Sequence, residues 1–123
     1  MRFMTLVLAA EGQGVPPASL FEAIGKLEKD ARAAGVFVDQ GGLMPTATAT
    51  RVRLSGGKIA VTDGPFAEAK EVLGGFAIFN LKSKEEAMKW TERFMDLHKE
   101  HWPTWEGVTE IRQMYELTDF SQT

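Results

Sequence analysis

Two histidines, an aspartate and an arginine pair are the residues of this 123-residue chain whose types and spacing bear on chemistry. His98 and His101 stand three apart, which puts both imidazoles on neighbouring positions of a helix. Imidazole titrates near neutral pH, so such a pair can relay protons or ligate zinc. Zinc would need a third protein ligand from Glu100, Asp96 or Glu110, and no His-Glu-x-x-His motif is present; no metal is expected. Asp63 closes a β-like run just before Gly64-Pro65. A partly buried carboxylate there would have a raised pKa and could act as a general acid or base, or it could simply form the turn. Arg51 and Arg53 alternate with Val52 and Leu54, placed to orient an anion or to keep an exposed strand soluble. Trp90, Trp102 and Trp105 flank the histidines, and their bulk suits a pocket wall or plain core and dimer packing. Asp63, His98 and His101 are thus the candidate catalytic groups, and Arg51, Phe66 and Trp102 the candidate ligand contacts.

Other chemistries lack their signatures. There is no cysteine, so thiol nucleophiles, disulfides and thiolate metal sites are excluded, which suits a reducing compartment. Gly56-Gly57 and Gly74-Gly75 have no phosphate-loop context, and Ser19, Ser55 and Ser83 have no nucleophile elbow. No cofactor is expected. Fourteen Lys and Arg against 17 Asp and Glu give a net charge of -3, so no basic field invites nucleic acid or an anionic membrane. The opening run Met1 to Ala10 is too short to span a bilayer, and it reads as a buried strand rather than a signal peptide. A cytoplasmic location is the default expectation.

The elements that must position these groups follow from periodicity. One domain is expected over residues 1–123, with 118–123 as a flexible polar tail. In the first strand Phe3, Thr5, Val7 and Ala9 face one side, and Met4, Leu6 and Leu8 the other. Leu20, Ile24, Leu27, Ala31 and Ala34 mark a helix that Gly35 stops. Val36 to Leu43 is a second strand. Ala47 to Leu54 and Lys58 to Asp63 form a hairpin around Gly56-Gly57, pairing Leu54 with Ile59, Val52 with Val61 and Thr50 with Asp63. A short helical segment is expected after Pro65, then a strand from Phe76 to Leu81. Ser83 and Glu86 have capping-box spacing for a second helix that Pro103 closes, and Val108 to Leu117 is the last strand. The order predicts an α+β, ferredoxin-like antiparallel sheet with two helices on one face and an inserted β-hairpin. Bulky side chains remain for the helix-free face, so a homodimer packed sheet to sheet is expected.

The segments Ala47-Thr48-Ala49-Thr50-Arg51-Val52-Arg53, Thr62-Asp63-Gly64-Pro65-Phe66-Ala67-Glu68 and Leu73-Gly74-Gly75-Phe76 resemble the DGPF branch of the YCII-related proteins, over nearly the whole chain. The resemblance implies a small bacterial ferredoxin-like domain that dimerises in a dimeric α/β-barrel-like arrangement, with a candidate pocket rather than a defined reaction. Some members lie beside sigma-factor-like regulators. In the wider group the resemblance implies a His-Asp pair as the proposed catalytic element, and at least one relative eliminates chloride from a chlorinated hydroxyquinol. The first helix and second strand of this chain hold no histidine, so a dyad would be built from other positions.

Two functions remain open at the level of sequence. One is a small-ligand-binding or regulatory module. The other is a lyase-like acid-base enzyme, with Asp63 and His98 or His101 sharing proton transfer on a small organic substrate.

Overall fold

Alternation along the first strand decides which side of the sheet is covered. In the computed structural model, which describes residues 1–120, β1 (Arg2–Ala9) buries Phe3 and Thr5 on one face, with Val7 and Ala9 following them. The remaining main elements are α1 (Ala18–Ala33), β2 (Phe37–Gly42), β3 (Thr50–Ser55), β4 (Lys58–Asp63), β5 (Val72–Asn80), α2 (Lys84–His101) and β6 (Gly107–Gln113). The main sheet runs β2-β5-β1-β6 with every pairing antiparallel, and both helices pack on the Phe3 face. This is the expected ferredoxin-like α+β arrangement, an open sheet with β2 and β6 as edges and no closed barrel within the chain.

The hairpin β3-β4 forms a separate two-stranded sheet in the expected register, Leu54 opposite Ile59, Val52 opposite Val61 and Thr50 opposite Asp63. Its turn has Gly56 at φ 56° and Gly57 at φ 76°, the left-handed pair that a primed two-residue turn requires. Ser83 caps the second helix as expected, with the Glu86 N–H donating to Ser83 Oγ at 3.3 Å, while the Glu86 carboxylate accepts the Lys82 N–H at 3.1 Å, one residue before the cap.

Four boundaries differ from expectation, each for a local reason. Residues 46–48 form a 3-10 turn instead of strand, because the Glu11 carboxylate takes both the N–H and the hydroxyl of Thr46. No helical segment follows Pro65. The Gly64 N–H goes to the Ala49 carbonyl at 2.8 Å and the Phe66 N–H to Thr46 Oγ1 at 3.2 Å, so the donors expected to start a helix bind the neighbouring turn, and the Gly64-Pro65 bond is cis. Strand β5 begins earlier, at Val72, because the ladder continues through the glycine pair: Gly75 pairs with Val7 and Gly42, Gly74 falls at a register shift, and Leu73 and Val72 pair with Leu8 and Ala9. Strand β6 ends at Gln113, and residues 117–120 form a 3-10 turn that Asp119 caps by accepting the Glu116 N–H. The rest of the expected tail, 121–123, lies outside the described residues.

Packing between sheet and helices is uneven. At one end Phe3, Leu81 and Ala87 are buried together, with Val36, Phe79, Trp90 and Ile111 against them. Phe79 is the hub of that end, stacked on Trp90 at 6.1 Å and met edge-on by Phe37 at 6.3 Å. Ala87 is 0% exposed, so added volume there has nowhere to go. Ala87→Leu is expected to destabilise the protein by about 1–3 kcal/mol in urea unfolding, and an unchanged midpoint would contradict a filled core at this position.

Candidate functional site

At the other end the sheet carries small residues on its covered face. Thr5, Val7 and Ala9 on β1, Gly75 and Ala77 on β5, Gly42 on β2 and Thr109 on β6 make a floor too shallow to reach the helices. Above it stand Phe21, Ile24 and Leu27 of α1 and Trp90, Thr91, Phe94 and His98 of α2. The result is a cavity of about 570 Å³, within the size range of small-molecule sites.

Its closed end is built around His98. A helix register of i to i+4 places Phe94 one turn before it, and the two rings lie 4.6 Å apart. Trp105 lies 4.5 Å from the imidazole, after the chain has turned back past α2. Gln13, in the loop after β1, fixes that return by exchanging two 2.8 Å hydrogen bonds with the backbone of Glu106. Gly107 then lets the indole lie flat on the strand, since a Cβ there would be 2.3 Å from the Trp105 ring.

The His98 imidazole has one defined protonation pattern. Its Nδ1 lies 3.0 Å from the Phe94 carbonyl, which can only accept, so Nδ1 carries the proton and the neutral ring presents a bare lone pair at Nε2. No described residue bonds that nitrogen, and His98 lines the cavity. Burial pushes its pKa below the ordinary 6.5, opposed by the Phe94 hydrogen bond.

The six residues singled out in the sequence fall into two groups, and no hydrogen bond or ion pair joins them among the described residues. His98, His101 and Trp102 occupy the C-terminal end of α2. Of these His98 alone reaches the cavity; Trp102 stacks outside Trp105 at 6.1 Å, and His101 Nε2 stands 4.0 Å from the Glu100 carboxylate. Asp63, Arg51 and Phe66 sit at the root of the hairpin, and none lines the cavity. The Asp63 carboxylate accepts the Thr50 hydroxyl at 2.9 Å, across the strand pair. Arg51 lies 3.7 Å above the ring of buried Phe66 and pairs with Glu68 at 2.7 Å. A hydrogen bond from its own backbone N–H, then Arg51, holds the Glu68 carboxyl below its usual range. Among the described residues no three His, Asp or Glu side chains gather as a metal site, and no helix is long and apolar enough to cross a membrane.

The cavity floor escaped the sequence reading. Its signal was present: small residues at inward positions of adjacent strands, facing helices rich in Phe and Trp.

The model of the YCII-related domain matches residues 1–117. The chain belongs to the YCII-related family. An uncharacterised protein of Rhizobium meliloti (strain 1021) is 48% identical over 46 residues, 37% of each chain, so the match spans little more than a third of that relative's length. Within this YCII-related chain the imidazole of the cavity is a group whose ionisation folding alters, because burial disfavours its charged form.

That shift fixes a sign. The unfolded chain takes up the His98 proton first as pH falls, so the contribution is fully present above pH 6.5 and is lost as pH falls through the lower folded value. Urea-unfolding free energy is expected to fall between about pH 7 and pH 5, and to fall less in His98→Phe. Equal losses in the two proteins would contradict burial of a neutral imidazole.

Proposed function

We propose that this protein is a homodimeric binding module that holds a small, largely apolar molecule between its sheet and its helices. The cavity carries the reading: an aromatic-walled space of about 570 Å³ over a floor of small residues, at a cost in packing the fold could have avoided. An acid-base enzyme is the second reading, favoured by the free Nε2 of His98. Asp63 does not line the cavity, so that reading rests on His98 without its expected carboxylate partner.

The binding reading is tested by filling the space. Ala77→Leu is expected to stabilise the protein by about 0.5–2 kcal/mol, the opposite of the same change at Ala87. Toluene is expected to raise the melting temperature of the unaltered protein by binding the folded state, and to raise that of Ala77→Leu less. A destabilised Ala77→Leu, or no response of the unaltered protein to toluene, would overturn the reading.

Dimerisation is supported by the hairpin. Val52, Leu54, Ile59 and Val61 share one face and are each between 65% and 73% exposed. Two strands alone are marginal in water, and four aliphatic side chains on one projecting ribbon form the kind of patch that a protein partner covers. The helix-free face adds Met4, Leu6, Leu8, Phe76 and Ile78, with Leu73 and Val108 exposed at its end. Sedimentation is expected to give a dimer, and Ile59→Asp is expected to shift it toward monomer without lowering the stability of the monomer fold. A monomer in the unaltered protein would remove this part of the proposal.

A further inference from the structure

The polar groups of the cavity restrict what can enter it. Glu28 is the charged side chain on its lining, and both carboxylate oxygens are taken, one by Gln40 Nε2 and the other by Arg32 Nε at 3.2 Å. No Lys or Arg lines the space, so an anion would be buried without a counter-charge, which is strongly unfavourable. A cation would have to share the Glu28 carboxylate with Arg32 and Gln40.

Hydroxyl protons are committed as well. Thr91 Oγ1 donates to the Ala87 carbonyl at 2.8 Å, and Thr109 Oγ1 donates to the sulfur of Met95 at 3.2 Å. Thr5, on the floor, has a hydroxyl that rotates to suit either kind of partner. Trp90 and Trp105 also bring indole donors to the lining and Gln40 a side-chain amide. His98 supplies a ring acceptor: Nδ1 is fixed as the donor to Phe94, so Nε2 accepts, with the imidazole held between two aromatic rings. Nε2 is open to the cavity and not sealed from it. An occupant that covers it without donating leaves it unmatched, which costs more than a matched bond gains, so occupants that donate are favoured over those that cannot.

Resting on the reading of the cavity as a binding site, we infer that its ligand is a neutral, mostly apolar molecule that donates a hydrogen bond to Nε2 of His98. The aromatic walls favour a flat ring system, which can lie against Phe94, Trp90 and Trp105. The imidazole is then a specificity group, matched to a ring N–H or a neutral hydroxyl and not to a carboxylate.

Calorimetric titration with indole, 1-methylindole and indole-3-acetate tests this. Indole carries a single donor, the methylated ring has none, and the acetate adds a negative charge. His98→Phe keeps an aromatic ring between Phe94 and Trp105 and removes the acceptor; His98→Met serves if that variant does not fold. The substitution is expected to weaken indole about three- to tenfold and to leave 1-methylindole within about twofold. Indole-3-acetate is expected to bind the unaltered protein more weakly than indole by about tenfold or more. If both neutral rings bind and the substitution affects them equally, the cavity stands and the role of His98 falls. If indole-3-acetate binds as tightly as indole, the exclusion of anions falls. If no compound binds, while toluene also leaves the melting temperature unchanged, the reading of a binding cavity falls and this inference with it.

Discussion

Everything in this fold that bears on function depends on a mismatch between a sheet with a shallow floor and helices that carry large rings. At the Phe3 end the mismatch is closed, because Phe79 rises from β5 to meet Trp90 of α2 and Phe37 of β2. Those rings act as a spacer. Beyond them the inward residues of β1 and β5 shrink to Ala9, Gly75 and Ala77 beneath the same two helices, and the gap becomes a cavity. Interiors normally pack without such voids, since each lost contact forfeits dispersion and apolar burial.

The position of one imidazole follows from the same arrangement. The last turn of α2 lies over the open end of the sheet, so its inward residue meets the cavity instead of a filled core. Helix phase selects His98 for that place and leaves His101 at the side, beside Glu100. Trp105 closes over the ring because Gly107 has no side chain to hold the indole away, and Gln13 ties the connecting segment in place. Burial, ring stacking and tautomer are thus consequences of backbone placement, and together they leave an unbonded acceptor on a residue that lines a largely apolar space.

The regular elements were legible in the sequence because periodicity and turn chemistry act locally. Alternation along β1, the Gly56-Gly57 hairpin with its register, and the Ser83 cap each depend on residues within a few positions of one another. The segment from Thr46 to Glu71 was less legible. Its turn is set by Glu11, far away in sequence, and the backbone donors expected to start a helix after Pro65 are satisfied by residues 46–49. Distance also explains the site. Residue type drew attention equally to Asp63, His98 and His101, but only the three-dimensional packing separates the hairpin root from the end of α2. The cavity floor was hidden for a different reason: small residues are ordinary in each strand alone and become informative when four neighbouring strands place them side by side.

A crystal structure of the protein under xenon pressure tests the central claim most directly, because xenon occupies dry apolar voids and avoids filled cores. The account predicts a xenon site above Ala77 and Val7, within reach of Phe94 and His98, and none beside Ala87. Side chains collapsed onto the floor, with no xenon between sheet and helices, would contradict it.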